Sequence, residues 1–291
     1  MKSSKRPIAI GVVLASFAAS TVVSADNVRI TPDVVYGHKV GLALTFDTYT
    51  PEKANGAAVI FVVSGGWYSS WRPPEQFQPL FQPLLDKGFT VFAVRHGSSP
   101  KFSIPEAVED VRRSVRYIRL NAEQLSIDPQ RIGVFGMSAG GHLSLMLGTA
   151  SDEGDANSDD PVLKVSDRVQ AVVAFVAPTD LTIMTHDAPN HLPAYERFPA
   201  LDLDAEGAKA ASPLLHVTPD DAPTLLLAGD ADDLVPVEHS RRIHKAFKEQ
   251  KVADKLVEIP GAGHGFKPEE MATATSEMVS WFETHLAAKP Q

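Results

Sequence analysis

Short, continuously apolar runs alternate along this chain with stretches of helical periodicity. Ala57–Val63, Thr90–Val94, Arg131–Phe135, Val169–Val176, Thr224–Ala228 and Lys255–Ile259 are rich in Val, Ile, Leu and Phe. Such runs predict strands buried on both faces. Between them, Phe77–Leu85, Ile104–Leu125, His142–Leu147, Pro236–Lys251 and Pro268–Leu286 carry helical spacing. The first of these stops at Lys87-Gly88, a common helix exit. The second places Val108, Val111, Val115, Ile118 and Leu125 on one side, with Ser103 as a candidate cap and Pro105 at an early helical position. Val34–Tyr49 reads as a hairpin, with Gly37 and Gly41 near its turn and Leu42, Leu44 and Phe46 in alternation. Strands alternating with helices predict an α/β architecture: a mostly parallel central sheet flanked by helices.

Two stretches break this rhythm. Residues 178–222 hold prolines at 178, 189, 193, 199, 213 and 219 with scattered His, Tyr and Phe, and are expected to form a small cap-like insertion over the carboxyl edge of the sheet. Residues 151–161, SDEGDANSDDP, are expected to be a mobile, solvated acidic loop; their spacing matches no calcium-binding loop.

Between the third strand-like run and the helix-like run after it stands Gly136-Met137-Ser138-Ala139-Gly140. A serine flanked by glycines at a strand-to-helix junction sits on a turn too tight for neighbouring Cβ atoms. The turn holds the hydroxyl out at the top of a sheet, beside a helix N-terminus that favours developing negative charge. Its chemistry is nucleophilic.

Composition narrows the context. The chain has 291 residues, 44% of them hydrophobic, and no cysteine; one domain of that size can be stable through burial alone. Disulfides, thiolate metal sites and a cysteine nucleophile are excluded. Lys2, Lys5 and Arg6 precede the apolar stretch Ile8–Ala19, and Val23-Ser24-Ala25 precedes Asp26. This predicts a signal peptide over residues 1–25, cleaved after Ala25, with export of a domain spanning 26–291. An uncleaved N-terminal anchor is the alternative. The full chain carries −9, and residues 1–25 hold three cations and no carboxylate, so residues 26–291 carry −12. An acidic surface of that kind excludes nucleic acid and, once the leader is removed, an anionic membrane as partners. Nothing in the pattern sets an oligomeric state.

A serine nucleophile needs a base, and the base needs an acid to orient it. In this architecture they follow in the order Ser, Asp or Glu, His, each on a loop after a late strand. Thr224–Ala228 runs into Gly229-Asp230-Ala231-Asp232-Asp233, and Lys255–Ile259 runs into Gly261-Ala262-Gly263-His264-Gly265. His264, bracketed by glycines, is the candidate base. Asp232, mid-loop, is the candidate acid; Asp230 is expected to bond backbone amides, and Asp233 to do the same or cap the next helix. His142 is expected to be structural, and His186 and His191 to be exposed. The candidate oxyanion donors are the amides of Ala139 and of Gly66 and Trp67 in Ser64-Gly65-Gly66-Trp67.

Together, VVYGHKVGLALTFDTYTP, SGGW, PEAVEDVRRSVRYIRLNA, GMSAGGHL, GDADDLVP and GAGHGF resemble the α/β-hydrolase superfamily. Within it they resemble small esterases of the bifunctional feruloyl and acetyl-xylan esterase type, relatives of the hormone-sensitive-lipase-like carboxylesterases. The resemblance implies the α/β-hydrolase fold, with Ser138 as nucleophile, Asp232 as acid, His264 as base and oxyanion amides at Gly66, Trp67 and Ala139. It implies no metal or organic cofactor. In one respect the chain departs: Ser64 and two glycines stand where the family usually has histidine and a longer glycine run. Trp67, Tyr68 and Trp71 are candidates for lining an acyl or leaving-group pocket, or for packing that loop. The expectation is an exported serine carboxylesterase acting on small-molecule or polysaccharide-linked esters. Two other readings use the same scaffold: a serine exopeptidase of the prolyl-oligopeptidase kind, and a non-catalytic binding protein.

Overall fold

The computed structural model describes residues 22–23 and 27–288. Most of the expected leader and its cleavage position lie outside those residues. Val22–Val23 (β1) pairs antiparallel with the next strand at Arg29 and Ile30.

Among the described residues, nine strands form one sheet in the order β1-β2-β3-β5-β4-β6-β7-β8-β9. β2 (Val28–Lys39) and β3 (Leu42–Pro51) make an antiparallel hairpin, and β3 also pairs antiparallel with β5 (Thr90–Val94). The remainder is parallel: β5, β4 (Ala58–Val62), β6 (Ile132–Met137), β7 (Ala171–Phe175), β8 (Thr224–Gly229) and β9 (Asp254–Ile259). The hairpin starts six residues earlier than its alternation suggests, because Val28 and Ile30 are buried as well. Its turn is Val40-Gly41, both at positive φ. Gly37 lies inside β2, where the Arg113 side chain passes too close to admit a Cβ.

Helices cover both faces. α2 (Ile104–Leu120), α3 (Ala139–Thr149) and α5 (Glu238–Gln250) close one largely aliphatic core. α1 (Gln78–Leu85) and α6 (Pro268–His285) close the other, where Phe61, Phe81, Phe135 and Phe282 pack edge-on or tilted. No helix among the described residues is long and apolar enough to cross a membrane. Ser103 caps α2 in a reciprocal box with Glu106. That helix ends at Leu120 rather than Leu125, since the Asn121 side chain bonds back to the Tyr117 carbonyl and the chain continues as turns.

The acidic segment is tied down rather than loose. Asp152 meets Arg112 and Arg116, Asp160 meets Arg113, and Glu153 meets Arg168. Fully buried Asp167 accepts from the Asp152 amide and faces Arg112 and Arg116. The guanidinium groups of Arg116 and Arg119 donate to the carbonyls of Leu163, Val165, Ser166 and Arg168. Arginines one helical turn apart on α2 thus clamp a loop whose own sequence reads only as acidic.

Residues 178–222, between β7 and β8, form short 3-10 turns and α4 (Ala205–Ala210), capped by Asp204. Met184, Tyr195, Phe198 and Leu201 from this segment face the carboxyl ends of the strands around Ser138.

Candidate active site

The parallel register decides which loops meet. β8 and β9 run level, with Gly229 opposite Ile259, so the loops after them leave the sheet side by side. Asp230 accepts from the Gly261 amide at 2.6 Å, and the Ala231 amide donates to the Ala262 carbonyl at 3.0 Å. Asp230 therefore fixes the two loops together, as expected of it. Asp233 is exposed and makes no cap: α5 starts after Val237 with no side-chain bond.

The fixed loops bring Asp232 and His264 into contact. Asp232 Oδ1 accepts from the amides of Leu234 and Val235 at 2.9 and 2.8 Å, which orients the carboxylate. Its Oδ2 lies 2.8 Å from His264 Nδ1, and His264 Nε2 lies 2.9 Å from Ser138 Oγ. An ionised carboxylate only accepts, so Nδ1 carries the proton and Nε2 is left to accept from the serine hydroxyl. The Asp232 side chain is buried, whereas His264 keeps 24% exposure.

Ser138 sits at φ 54°, ψ −120°, outside the regions that L-residues favour. Such a conformation costs on the order of 1–3 kcal/mol and persists only when the surroundings over-determine it. Here they do. The Ser138 amide donates to the Phe175 carbonyl, and its carbonyl accepts from His142. A Cβ on Gly136 would overlap the Gly140 carbonyl carbon, and one on Gly140 would come within 2.7 Å of the Val62 carbonyl oxygen.

Opposite the elbow, after β4, Gly65 and Tyr68 bond each other reciprocally at 3.0 Å around Gly66-Trp67. Gly66 and Trp67 have φ of 56° and 61°, the signs of a type I′ turn. Among the described residues the amides of Gly66, Trp67 and Ala139 donate to no acceptor. Ser64 Oγ bonds His96 Nε2 at 2.9 Å, and Ser69 Oγ donates to the Val63 carbonyl. The loop is thus supported from behind by β5's far end. Burial holds His96 below its ordinary range, in the neutral form that this contact uses.

A narrow cavity opens beside Ser138, walled by Trp67, Met184, Tyr195, Phe198, Leu201 and Leu234. The room in it for the centre of a water-sized sphere is about 20 Å³, little more than one buried water needs. Burial, with the Asp232 charge nearby, pushes the Tyr195 phenol up to about 12, so it remains neutral. Of the aromatics singled out in the sequence, Trp67 lines this cavity and is 4% exposed. Tyr68 and Trp71 stand outside its lining, at 39% and 58% exposure. His186 and His191 are bonded within their own segment, to the Tyr195 carbonyl and to Glu196. The insertion's wall residues carry no motif; their one signal in the sequence is apolar side chains scattered among prolines.

The BD-FAE family model matches residues 46–247, which include the turn at Gly66, the elbow and Asp232. The chain belongs to the BD-FAE family. BD-FAE membership agrees with individual likenesses. The probable carboxylic ester hydrolase LipM of Mycobacterium tuberculosis is 30% identical over 72% of this chain and 49% of its own length. Esterase LipQ of the same organism is 29% identical over 86% and 60%. The chain therefore spans about half to three-fifths of these relatives. Among solved structures, a truncated carbohydrate esterase from gut microbiota superposes with a TM-score of 0.76 at 26% identity, covering 91% of this chain and 99% of that one. The acetyl ester-xyloside bifunctional hydrolase of Caldicellulosiruptor lactoaceticus superposes at 0.75 with 26% identity, over 87% and 95%. BD-FAE membership and these superpositions make the fold that of the α/β-hydrolases.

Proposed function

We propose that the protein is a carboxylic ester hydrolase that works through an acyl-enzyme on Ser138. The observation that carries this is the chain of bonds from Ser138 Oγ through His264 to Asp232, at 2.9 and 2.8 Å. Ser138 Oγ attacks the ester carbonyl while its proton passes to His264 Nε2. Asp232 holds the imidazole and stabilises it while charged. The amide of Ala139, with those of Gly66 and Trp67, receives the negative charge that develops on the carbonyl oxygen. One such donor contributes on the order of a hundredfold or more in rate. His264 then returns the proton to the leaving alcohol, a water enters, and the same steps in reverse release the acid.

The small, apolar cavity beside Ser138 supports a short acyl group, acetyl before longer chains. It also favours esters over peptides, because none of its lining residues is a carboxylate that would hold a peptide amine. The names of the carbohydrate-esterase neighbours make sugar-linked acyl groups the natural candidates. The leader-like residues 1–25 support a working form that is an exported domain beginning at Asp26, without β1, and with 178–222 as its small cap. A panel of p-nitrophenyl esters from acetyl to decanoyl, acetylated xylan, methyl ferulate and an aminoacyl amide tests the activity. The expected result is turnover of the short esters with kcat/KM falling steeply as the acyl chain lengthens. Turnover of the amide alone, or of no substrate, contradicts the reading. N-terminal sequencing of the mature protein tests export, with Asp26 as the expected first residue.

A further inference from the structure

His142 is fully buried one helical turn beyond Ser138, and nothing in the acyl-transfer steps uses it. Its two ring nitrogens nevertheless reach two other parts of the site. Nδ1 lies 3.2 Å from the indole Nε1 of Trp67, and the rings meet edge-on with centroids 5.5 Å apart. Nε2 lies 2.7 Å from the carbonyl oxygen of Ala211, the residue that ends α4 in the insertion. An indole N–H can only donate and a carbonyl can only accept, so the partners fix the tautomer: Nδ1 accepts and Nε2–H donates. A protonated ring would set two donors against each other at Nδ1.

Trp67 is the residue with reason to be held. It adopts φ 61° without being glycine, and its amide belongs to the candidate oxyanion set. Among the described residues its main chain has one tether, the carbonyl accepting from the Ser99 amide at 3.0 Å. The side chain supplies the second, through His142. We propose that His142 is a positioning residue. By accepting from the Trp67 indole in a tautomer set by Ala211, it keeps the Gly66–Trp67 turn aimed at the carbonyl oxygen of the substrate, and it makes that aim depend on the seating of the insertion. This rests on the reading of Ser138 and the loop amides given above.

Trp67→Phe is the sharpest probe, because it keeps a buried aromatic ring and the backbone amide while removing the indole N–H along with part of the ring. With p-nitrophenyl acetate, the expected result is a fall in kcat of about 10- to 100-fold with KM within about threefold, in protein whose melting curve remains cooperative. A trifluoromethyl ketone, whose adduct with Ser138 carries the oxyanion, loses affinity in proportion to kcat/KM. His142→Gln, which still offers an acceptor and a donor, retains more activity than His142→Ala. A folded Trp67→Phe protein with kcat within twofold of wild type overturns the proposal. So does a fall in kcat without loss of ketone affinity, which a merely structural role would give. If Ser138→Ala retains full activity, the reading of the site itself fails. If Ser138→Ala is inactive and Trp67→Phe is not impaired, only the positioning role fails.

Discussion

Ser138 and Trp67 both sit at positive φ, 54° and 61°, on loops that follow the neighbouring strands β6 and β4. They are held by different means. Ser138 is held by main chain: its amide on the Phe175 carbonyl, its carbonyl on the His142 amide, and glycine backbones packed so closely around it that no Cβ fits. The Gly66–Trp67 turn has main-chain bonds too, Gly65 with Tyr68 and the Ser99 amide on the Trp67 carbonyl, but it also draws on side chains that arrive from afar. The indole of Trp67 donates to His142, Ser64 is bonded by His96, and the Phe198 ring lies where a Gly66 Cβ would go. Backbone restraint leaves a compact signature in neighbouring residues. Side-chain restraint is spread over partners from 32 positions apart, Ser64 and His96, to 132, Gly66 and Phe198. It follows that the elbow should break through stability, and the turn through rate.

Gly140→Ala attacks the elbow, placing a Cβ 2.7 Å from the Val62 carbonyl oxygen. Neither partner is the movable end of a side chain, so the expected cost is about 3 kcal/mol or more. Urea denaturation should show a correspondingly lower midpoint or no folded protein; a midpoint near wild type would mean that the elbow yields more easily than its packing implies. Gly66→Ala attacks the turn. Its Cβ falls 2.8 Å from the Phe198 ring, which can rotate, and φ of 56° adds strain. The expectation is a loss of kcat on the order of 30- to 100-fold with a loss of stability of about 1 kcal/mol, partly relieved in the double variant with Phe198→Ala. Equal damage to rate and stability in both glycine variants would erase the distinction.

The smallest expected effect is on stability against pH. Burial lowers His142 to about 4, and His239 likewise. In the unfolded chain both take up a proton near 6.5. The unfolded state therefore binds more protons between those values, and stability present above pH 6.5 is lost as pH falls toward 4. Asp221, raised to about 6 by burial, works in the opposite sense over part of that range. Between pH 7 and 5 the net fall is on the order of 1 to 2 kcal/mol by linkage, read as a declining urea midpoint. A flat or rising midpoint would mean that the interior tolerates a charged imidazole at Nδ1 of His142.

The same contrast explains what the sequence makes legible. The elbow, the strands β4 to β9, the Ser103 cap and the order Ser138, Asp232, His264 all follow from residues within a few positions of each other or from chain order. The end of α2 does not, because one Asn121 side chain decides it. The acidic segment reads as solvated, since the arginines that clamp it stand about 40 to 50 residues upstream on α2. His142 reads as structural because its partners, Trp67 and Ala211, lie 75 and 69 positions away on opposite sides of it. The cavity wall from 178–222 is illegible for the same reason: short 3-10 turns have no periodicity to mark which side chains face inward.

The central claim is the covalent step at Ser138. The direct test is to treat the folded protein with a fluorophosphonate, map the adduct by peptide mass spectrometry, and follow hydrolysis of p-nitrophenyl acetate in parallel. The expected result is one adduct per chain, on Ser138, with activity lost in step. Ser138→Ala should be unlabelled and slower by about 10⁴-fold or more. Labelling at another residue, or hydrolysis by Ser138→Ala at the wild-type rate, would contradict it.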